Sequence, residues 1–395
     1  MKILLLAFLL INQYAFSSEN IANNSLELTF ATSCNPSNQQ VNLSFVGDIL
    51  IHKALYLAVV SETKHFTQLW KKTEPLFLKA DFSIGNLEGP AALGIDKAGK
   101  DKGDVGFIYD GDVYSGTDYV FNYHPRIFSD LKDSGFDLLT MANNHALDRF
   151  AIGIDKSIKA ARAIGIPTIG TRSSDEPNSD FFKIIKIKNI QVAFIGCTEF
   201  VNFSGSEDQV LFCETDYIMK LIKGLSLRTD VDAVIVLPHW GVEYSNEPKE
   251  YQKEYAHNFL EAGATAVVGS HPHVLEPWEK YITKNGRETL IIYSLGNFVA
   301  GQPGLEKQTG AVAYIGLSKE KLNKAKIYGV AYTPTFRDGT NILPIGKNDS
   351  QEVLNHVYEM YGHKARLEPS GNINEILCPT LHQSVLKNDG QTLNQ

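Results

Sequence analysis

Short apolar runs alternate with segments of helical periodicity along most of the chain. Runs rich in β-branched residues predict strands at residues 41–46, 81–84, 136–141, 191–195, 231–237, 264–268 and 290–293. Apolar residues at helical spacing predict helices at residues 152–164, 216–225 and 249–261. Residues 181–194, interrupted at Lys188 and Asn189, predict a hairpin within this series. Strands that alternate with helices are typical of a layered α/β fold.

Two regions depart from this alternation. Residues 94–120 hold six glycines and six aspartates without a long apolar run. This composition predicts either a long surface loop near the functional site or a disordered insertion. Residues 301–346 predict short strands, with turns at residues 333–334 and 338–339.

The first residues have the composition of a secretory signal peptide. An apolar run at residues 3–11 is followed by small residues that include Ala15 and Ser17. The run is too short to cross a bilayer about 30 Å thick. We therefore expect a cleaved signal peptide over residues 1–18, with an uncleaved N-terminal anchor as the alternative, and no later transmembrane span. The Asn- and Ser-rich residues 19–40 predict a flexible leader.

Composition narrows the classes of protein that remain. The 395 residues include 37 Lys and Arg against 45 Asp and Glu, a formal net charge of −8. A hydrophobic fraction of 43% and a charged fraction of 21% exclude a chain that is disordered throughout. The acidic sum favours neither nucleic acid nor an anionic membrane as a partner. We expect one domain over residues 41–346, followed over residues 347–395 by a helix at 351–361 and a tail.

The four cysteines are an even number, which suits disulfides in the oxidising compartment that export implies. Their positions favour one pair between Cys197 and Cys213 and another between Cys34 and Cys378, with four separate thiols as the alternative. No Cys-x-x-C is present in the sequence. Neither a thiol redox motif nor a cysteine zinc site is therefore indicated.

Polar residues of types that bind divalent metals follow five of the predicted strands. They are Asp48; Asn86 and Glu88; Asn143, Asn144, His145 and Asp148; His239; and His271 and His273. In open α/β sheets, ligands bind in the crevice beyond the carboxyl ends of the strands. We therefore expect these side chains to meet at one sheet edge. The alternation of side chains along a strand would turn both imidazoles of His-x-His toward one pocket.

These residue types suit a site for two metal ions. Carboxylate and amide oxygens bind harder ions and imidazoles bind Zn, Fe and Mn, so we expect two divalent ions of the Mn, Fe or Zn class. Two such ions about 3.5–4 Å apart can hold a phosphate and activate a water molecule for in-line attack. A remaining histidine can protonate the leaving oxygen as a general acid.

Six short motifs, in this order, resemble the CapA family, which is also called the poly-γ-glutamate capsule biosynthesis family. They are Phe45-Val46-Gly47-Asp48-Ile49, Asn86-Leu87-Glu88-Gly89, Ala142-Asn143-Asn144-His145-Ala146-Leu147-Asp148, His239-Trp240-Gly241-Val242-Glu243-Tyr244, Gly269-Ser270-His271-Pro272-His273-Val274 and Tyr293-Ser294-Leu295-Gly296-Asn297-Phe298. The resemblance covers about residues 41–300. Since that family resembles the calcineurin-like metallophosphoesterases, it implies a four-layered α/β sandwich.

The resemblance also implies roles for individual residues. The implied metal ligands are Asp48, Asn86, Glu88, Asn144, His239, His271 and His273, and the implied catalytic residues are His145 and Asn144. Trp240 and Glu243 are candidates for substrate contact, with buried packing and a solvated helix start as the alternatives. A structural turn is the favoured expectation for Asn297, with a side chain that faces the site as the alternative.

Two positions differ from typical metallophosphoesterases. Leu50 stands where the Asp-x-His pattern places a histidine, and Asn86 stands where the second motif has an aspartate. The CapA family shares both differences. They leave the bridging metal ligand open between Asn86 and Glu88.

Three functions remain compatible with these residues. The first is an exported metal-dependent hydrolase, periplasmic, cell-surface or secreted, that cleaves a phosphoester or an amide-linked acidic polymer in capsule or envelope metabolism. The second is a non-catalytic assembly factor that holds such a polymer in the same crevice, beside the polymer-synthesis machinery of the envelope. The third is an interaction module with a vestigial site.

Overall fold

The computed structural model describes residues 26–35, 37–117 and 119–378. The predicted signal peptide, at residues 1–18, lies outside the described residues. No helix within the described ranges is both long enough and apolar enough to cross a membrane.

The described residues form sixteen strands and ten α-helices. The strands are β1 (Gln39–Leu50), β2 (Phe82–Leu87), β3 (Ser115–Thr117), β4 (Val120–Asn122), β5 (Leu138–Thr140), β6 (Thr168–Ile169), β7 (Phe182–Ile187), β8 (Ile190–Thr198), β9 (Ala233–His239), β10 (Ala266–Val268), β11 (Leu275–Ile282), β12 (Glu288–Leu295), β13 (Asn297–Ala300), β14 (Thr309–Lys319), β15 (Lys326–Asp338) and β16 (Asn341–Pro344). The helices are α1 (Lys53–Ser61), α2 (Thr67–Trp70), α3 (Glu74–Phe77), α4 (Arg126–Asp133), α5 (Phe150–Ile164), α6 (Asp216–Leu227), α7 (Glu250–Ala262), α8 (Leu305–Gln308), α9 (Gln351–Tyr361) and α10 (Asn374–Leu377).

Strand β1 lies near the centre of the first sheet. The strand order is β16-β15-β14-β1-β2-β5-β6, and β13 also pairs with β1. Strands β1, β2, β5 and β6 are parallel, whereas β14, β15 and β16 form antiparallel pairs. Because parallel strands end on the same side, the carboxyl ends of β1, β2 and β5 share one edge.

The second sheet has the order β11-β12-β10-β9-β8-β7. Its four inner strands are parallel, and β7 and β11 are antiparallel at the two edges. Strands β7 and β8 form the predicted hairpin, whose turn contains Lys188 and Asn189. The carboxyl ends of β9 and β10 share an edge, as those of β1, β2 and β5 do in the first sheet.

Three groups of buried side chains separate four layers. One group lies between α1–α4 and the outer face of the first sheet, and a second lies between the two sheets. A third lies between the second sheet and helices α6 and α7. The order helix, sheet, sheet, helix confirms the four-layered α/β sandwich.

The sequence predicted helix α9 with the observed bounds and missed helices α1–α4. In α1, apolar residues occupy nearly every position from 54 to 60, so the segment lacks the amphipathic spacing that identifies a surface helix. Helices α2 and α3 have only four residues each, too few to show a period. These helices form because they cover the outer face of the first sheet.

The expectation of short strands over residues 301–346 was wrong. Strands β14 and β15 have 11 and 13 residues and pair along most of their length. The turn expected at Thr333 and Pro334 lies inside β15, where Pro334 pairs with Ala311 and its carbonyl accepts the Ile345 N–H at 2.8 Å. Proline is tolerated in a strand where its missing N–H is not required. The turn at Asp338 and Gly339 is confirmed.

The described part of the predicted leader is held against the sandwich. Leu26, Leu28 and Phe30 pack against the core between the sheets, and the Trp278 indole donates to the Leu26 carbonyl at 2.7 Å. Disulfides join Cys34 to Cys378 and Cys197 to Cys213, which confirms the favoured pairing. The expectation of a flexible leader is therefore wrong for residues 26–35, because these contacts and one disulfide fix them.

The end of β1 passes very close to the turn between β12 and β13. A Cβ atom at Gly47 would overlap the backbone carbonyl of Gly296. The Asp48 N–H donates to that same carbonyl at 3.1 Å. Contact between these two backbones therefore positions Asp48 and leaves no room for a side chain at residue 47.

We expect Gly47→Ala to lower the free energy of unfolding by about 1–3 kcal/mol, because the added methyl group forces two backbones apart. A matched control is Gly224→Ala in helix α6, where an added Cβ meets no neighbouring atom. That substitution should stabilise the protein by about 0.5–1 kcal/mol, since alanine favours a helix over glycine. Urea denaturation measures both changes. An unchanged Gly47→Ala protein would contradict the close approach.

Candidate metal centre

The predicted site residues meet where the two sheets come together. Asp48 and Asn86 lie in β1 and β2 of the first sheet, whereas His239 ends β9 of the second. The expectation of a single sheet edge was therefore wrong. Strands of both sheets supply the donors, because the sandwich brings their carboxyl ends together.

Asp48 lies at a β-bulge. The register between β1 and β2 shifts between Phe45 and Asp48, and a bulge of this kind re-aims the side chains around it. The buried Asp48 carboxylate accepts the Asn86 amide at 2.8 Å and the His271 backbone N–H at 3.3 Å. It also lies 3.0 Å from Nδ1 of His273. Asp48 thus joins both sheets across the site.

Glu88 follows β2 directly and is fully buried. Within the part of the chain that the structure describes, neither of its carboxylate oxygens has a hydrogen-bond partner. Its Oε1 atom faces three imidazole Nε2 atoms, at 3.6 Å from His239, 3.8 Å from His273 and 3.9 Å from His145. Burial, and then the neighbouring Asp48 carboxylate, raise the pKa of Glu88 well above its usual range.

The two imidazoles of the His-Pro-His segment converge by a route that strand alternation does not provide. Strand β10 ends at Val268, so His271 and His273 lie in a loop. Their φ angles are 101° and 60°, in the left-handed region that side chains seldom adopt. Such strain is concentrated at functional sites. The two ring centres lie 5.9 Å apart, but strand alternation, the reason given for their convergence, does not apply.

The hydrogen bonds of Asn297 define the tautomer of His273. The Asn297 amide donates to the carbonyls of His273 and Lys307 at 3.1 and 2.9 Å, which leaves its Oδ1 atom as an acceptor. That oxygen lies 3.0 Å from His273 Nδ1. Nδ1 therefore carries the proton, and the lone pair on Nε2 faces Glu88. Asn297 was expected in a structural turn, but it orients a site imidazole.

His239 and His271 complete the imidazole cluster. The His239 Nε2 atom lies 2.9 Å from Asn144 Oδ1, and its ring centre is 4.6 Å from that of His271. Nδ1 of His271 has no hydrogen-bond partner among the described residues. Burial, and then the neighbouring His273, lower the pKa of His271 to about 3. Its imidazole is therefore neutral, as a metal ligand must be.

His145 and Asp148 form a buried pair. Nδ1 of His145 lies 2.8 Å from an Asp148 oxygen that also accepts the Phe121 N–H at 2.7 Å. The Phe121 ring packs edge-on against the imidazole at 4.7 Å. The Asn202 amide lies 3.3 Å from Nδ1. Neither Phe121 nor Asn202 was predicted from the sequence, since neither follows a strand-end pattern.

The segment at residues 94–120 is tied to this pair. The buried guanidinium of Arg149 donates to the carbonyls of Ile95, Asp112 and Asp148 at 2.8–3.1 Å. It also donates to the Ser115 hydroxyl at 2.8 Å. Of the two expectations for this segment, the structure supports the loop near the site.

Two sets of three side chains have donor atoms close enough to hold a metal ion. One set is Glu88, His271 and His273, and the other is Asp48, Glu88 and His239. In each set the donor atoms lie within 4.8 Å of one another. Mixed carboxylate and imidazole donors suit divalent Mn, Fe or Zn. The unpaired Glu88 carboxylate, common to both sets, fits such an ion better than it fits an apolar core.

The two candidates for substrate contact differ in position. Trp240 is fully buried, its indole donates to the Tyr293 carbonyl at 3.0 Å, and it packs among the residues beneath α7. The Trp240 side chain faces the core, which supports the alternative of buried packing over substrate contact. Glu243 is partly exposed, and its charge raises the pKa of Glu88. Beside it, Tyr244 is 46% exposed, with its ring centre 6.2 Å from that of His273.

Comparison with curated proteins finds relatives of similar length. The chain is 29% identical over 295 residues to a PGA biosynthesis protein CapA from Bacillus subtilis (strain 168), covering 74% of this chain and 71% of that protein. It is 28% identical over 273 residues to a capsule biosynthesis protein CapA from Bacillus anthracis. That alignment covers 67% of this chain and 61% of the relative, which is less than two thirds of its length.

Comparison with solved structures finds more distant likenesses. A hypothetical protein from Thermus thermophilus is 16% identical, with a TM-score of 0.41 over 75% of this chain and 100% of that chain. A 5'-nucleotidase from Candida albicans is 12% identical, with a TM-score of 0.36 over 82% of this chain and 59% of that chain.

The family model described as the bacterial capsule synthesis protein PGA_cap matches residues 42–302. This range takes in well over half of the chain and every residue of the candidate metal centre. The range also contains the six motifs that resemble the CapA family. The chain therefore belongs to the bacterial capsule synthesis protein family PGA_cap.

Proposed function

We propose that this chain is an exported, metal-dependent hydrolase of capsule or envelope polymer metabolism, acting on a phosphoester or an amide-linked acidic polymer. One observation carries the proposal: the buried Glu88 carboxylate lacks a hydrogen-bond donor among the described residues and faces three imidazoles within 3.9 Å. A buried carboxylate without a partner is costly unless a cation or a proton compensates its charge.

Two divalent ions would be held by the two sets of side chains that share Glu88. Glu88 would contribute to both ions, since it belongs to both sets, whereas the Asn86 amide nitrogen donates to Asp48. When bound, such ions polarise a phosphoryl or carbonyl oxygen and lower the pKa of a water molecule. Asp48 and Asn297 hold the His273 imidazole so that Nε2, rather than Nδ1, faces the ions.

His145 is suited to move a proton at the leaving group. Asp148 accepts a hydrogen bond from Nδ1–H of His145, so Nε2 is the atom that faces the centre of the site. Phe121 and Asp148 enclose the imidazole on two sides and fix its orientation. An oriented imidazole can donate a proton to a leaving oxygen or nitrogen and contributes about 10²–10⁴-fold to the rate.

A non-catalytic role in polymer assembly is the second candidate. Leu50 is buried in the outer core, so no imidazole enters from that position. Asn86 supplies a neutral amide where an aspartate would add a charge. Fewer anionic ligands would weaken metal binding and favour a site that holds an acidic polymer without cleaving it.

Export is supported by the disulfides. The two bonds join all four cysteines of the chain, and such bonds persist in oxidising compartments. The proposed location is the periplasm, the cell surface or the medium. The curated relatives are named for capsule biosynthesis, and a capsule lies outside the cell.

We expect protein purified without chelator to bind two equivalents of Mn²⁺, measured by elemental analysis and titration calorimetry. Glu88→Gln should lose both equivalents, since Glu88 belongs to both sets. His271→Ala should lose one, because His271 belongs to a single set.

The control for this experiment is Glu276→Gln. Glu276 is also buried, but it accepts the Gln252 amide at 3.0 Å and belongs to neither set. This variant should keep both equivalents. Equal metal content in Glu88→Gln and wild type would contradict the proposed centre.

We expect metal-loaded protein to hydrolyse at least one member of a panel of phosphoesters and γ-glutamyl amides. His145→Gln should lower kcat by about 10²–10⁴-fold while keeping its metal, because only proton transfer is lost. His257→Gln, on helix α7 and paired with Glu279, serves as the control and should be fully active. Polymer binding without turnover by any metal form would instead support the assembly role.

A further inference from the structure

A lysine without a carboxylate partner lies beside the candidate metal centre. The Lys307 ammonium is 4.8 Å from the centre of the Tyr244 ring. That ring in turn lies 6.2 Å from the His273 imidazole. The Tyr244 ring therefore lies between the Lys307 ammonium group and the metal centre. Among the described residues, that ammonium group has no ion-pair partner.

Gln302 links Tyr244 to Asn297, and Asn297 bonds to the backbone of Lys307. The Gln302 amide donates to the Tyr244 hydroxyl at 3.2 Å, and its own oxygen accepts the Asn297 amide at 2.8 Å. Asn297 also donates to the Lys307 carbonyl at 2.9 Å and contacts His273. Lys307 and Tyr244 are thus fixed to the same asparagine that orients a metal-centre imidazole. Hydrogen bonds from such supporting residues hold binding groups at a fixed distance from the reacting centre.

The backbone of Tyr244 has a strained conformation, although the residue lies at the surface. Its φ angle is 65°, and its N–H donates at 2.7 Å to the carbonyl of Pro272, between the two site histidines. The side chain is nevertheless 46% exposed. Strain that keeps an aromatic ring exposed beside a reactive centre is typical of a binding residue.

Two residues of opposite charge, Glu243 and Lys307, lie near different parts of the Tyr244 ring. Burial, and then the neighbouring Glu243 carboxylate, raise the pKa of Tyr244 to about 12. Lys307 covers the ring face. An anionic group is therefore favoured on the lysine side and disfavoured on the glutamate side. A carbon chain between two anionic groups could lie against the ring.

We propose that Lys307 and Tyr244 form a second subsite, which binds an anionic group, carboxylate or phosphate, adjacent to the group that reacts at the metal centre. The inference rests on the proposed function and deepens it. The substrate class is then a molecule with at least two anionic groups joined by a short carbon chain. A simple monoester would leave the subsite unused.

The test compares binding of one-anion and two-anion probes to the full chain saturated with Mn²⁺. The probes are inorganic phosphate, propane-1,3-diyl bisphosphate and γ-linked triglutamate, and calorimetry gives each Kd. Lys307→Gln should leave the Kd for phosphate within about twofold and weaken one or both two-anion probes about fivefold or more. The probe that weakens identifies the second group as phosphate or carboxylate.

Two further variants make the comparison decisive. Lys220→Gln removes an exposed lysine from helix α6, on the far outer layer, and should change none of the three Kd values. Tyr244→Leu should weaken the same two-anion probes as Lys307→Gln, with an unchanged melting temperature as the check on folding.

Three outcomes would overturn the subsite. They are equal Kd values in wild type and Lys307→Gln, an equal loss for phosphate and the two-anion probes, and no binding of either two-anion probe to wild type. Metal uptake is measured separately in the same samples. Failure to take up metal, with the two-anion difference retained, would contradict the proposed hydrolase and leave the subsite supported.

Discussion

The charge of one buried carboxylate is the constraint on which the site depends. Glu88 is enclosed by three imidazoles, and no donor among the described residues reaches its oxygens. Its position is set by its backbone: the N–H donates to Ile49 at 3.1 Å, and the carbonyl accepts the Tyr123 hydroxyl at 2.7 Å. The fold therefore holds the carboxylate where only a cation or a proton can compensate its charge.

Contact between two sheets builds the surroundings of that carboxylate. The first sheet supplies Asp48 from a bulged strand, and the second supplies His239 from the end of a parallel strand. Close contact of the backbones at Gly47 and Gly296 places Asp48. The strained loop after β10 then supplies His273, and His145 follows β5 of the first sheet. Neither sheet alone would bring three imidazoles to one carboxylate.

Two groups of contacts hold side chains beside the candidate metal centre. The buried Arg149 guanidinium donates to backbone carbonyls of the segment at residues 94–120, and Phe121 packs against His145. On the opposite side, Gln302 links Asn297 to Tyr244. These contacts place Phe121 and Tyr244 beside the candidate metal centre.

The sequence favoured the observed disulfide pairs but left four separate thiols open. It predicted the layered α/β class, helices α5, α6, α7 and α9, and the polar residues that meet at the candidate metal centre. These follow from local periodicity and from polar residues at strand ends, which are properties of short segments. The tertiary structure was needed to show that Glu88 belongs to both candidate ligand sets, that Asn297 orients His273, and that Trp240 lies in the core. Each of these depends on which segments, far apart in the chain, become neighbours when the two sheets pack, and short-range patterns carry no record of that packing.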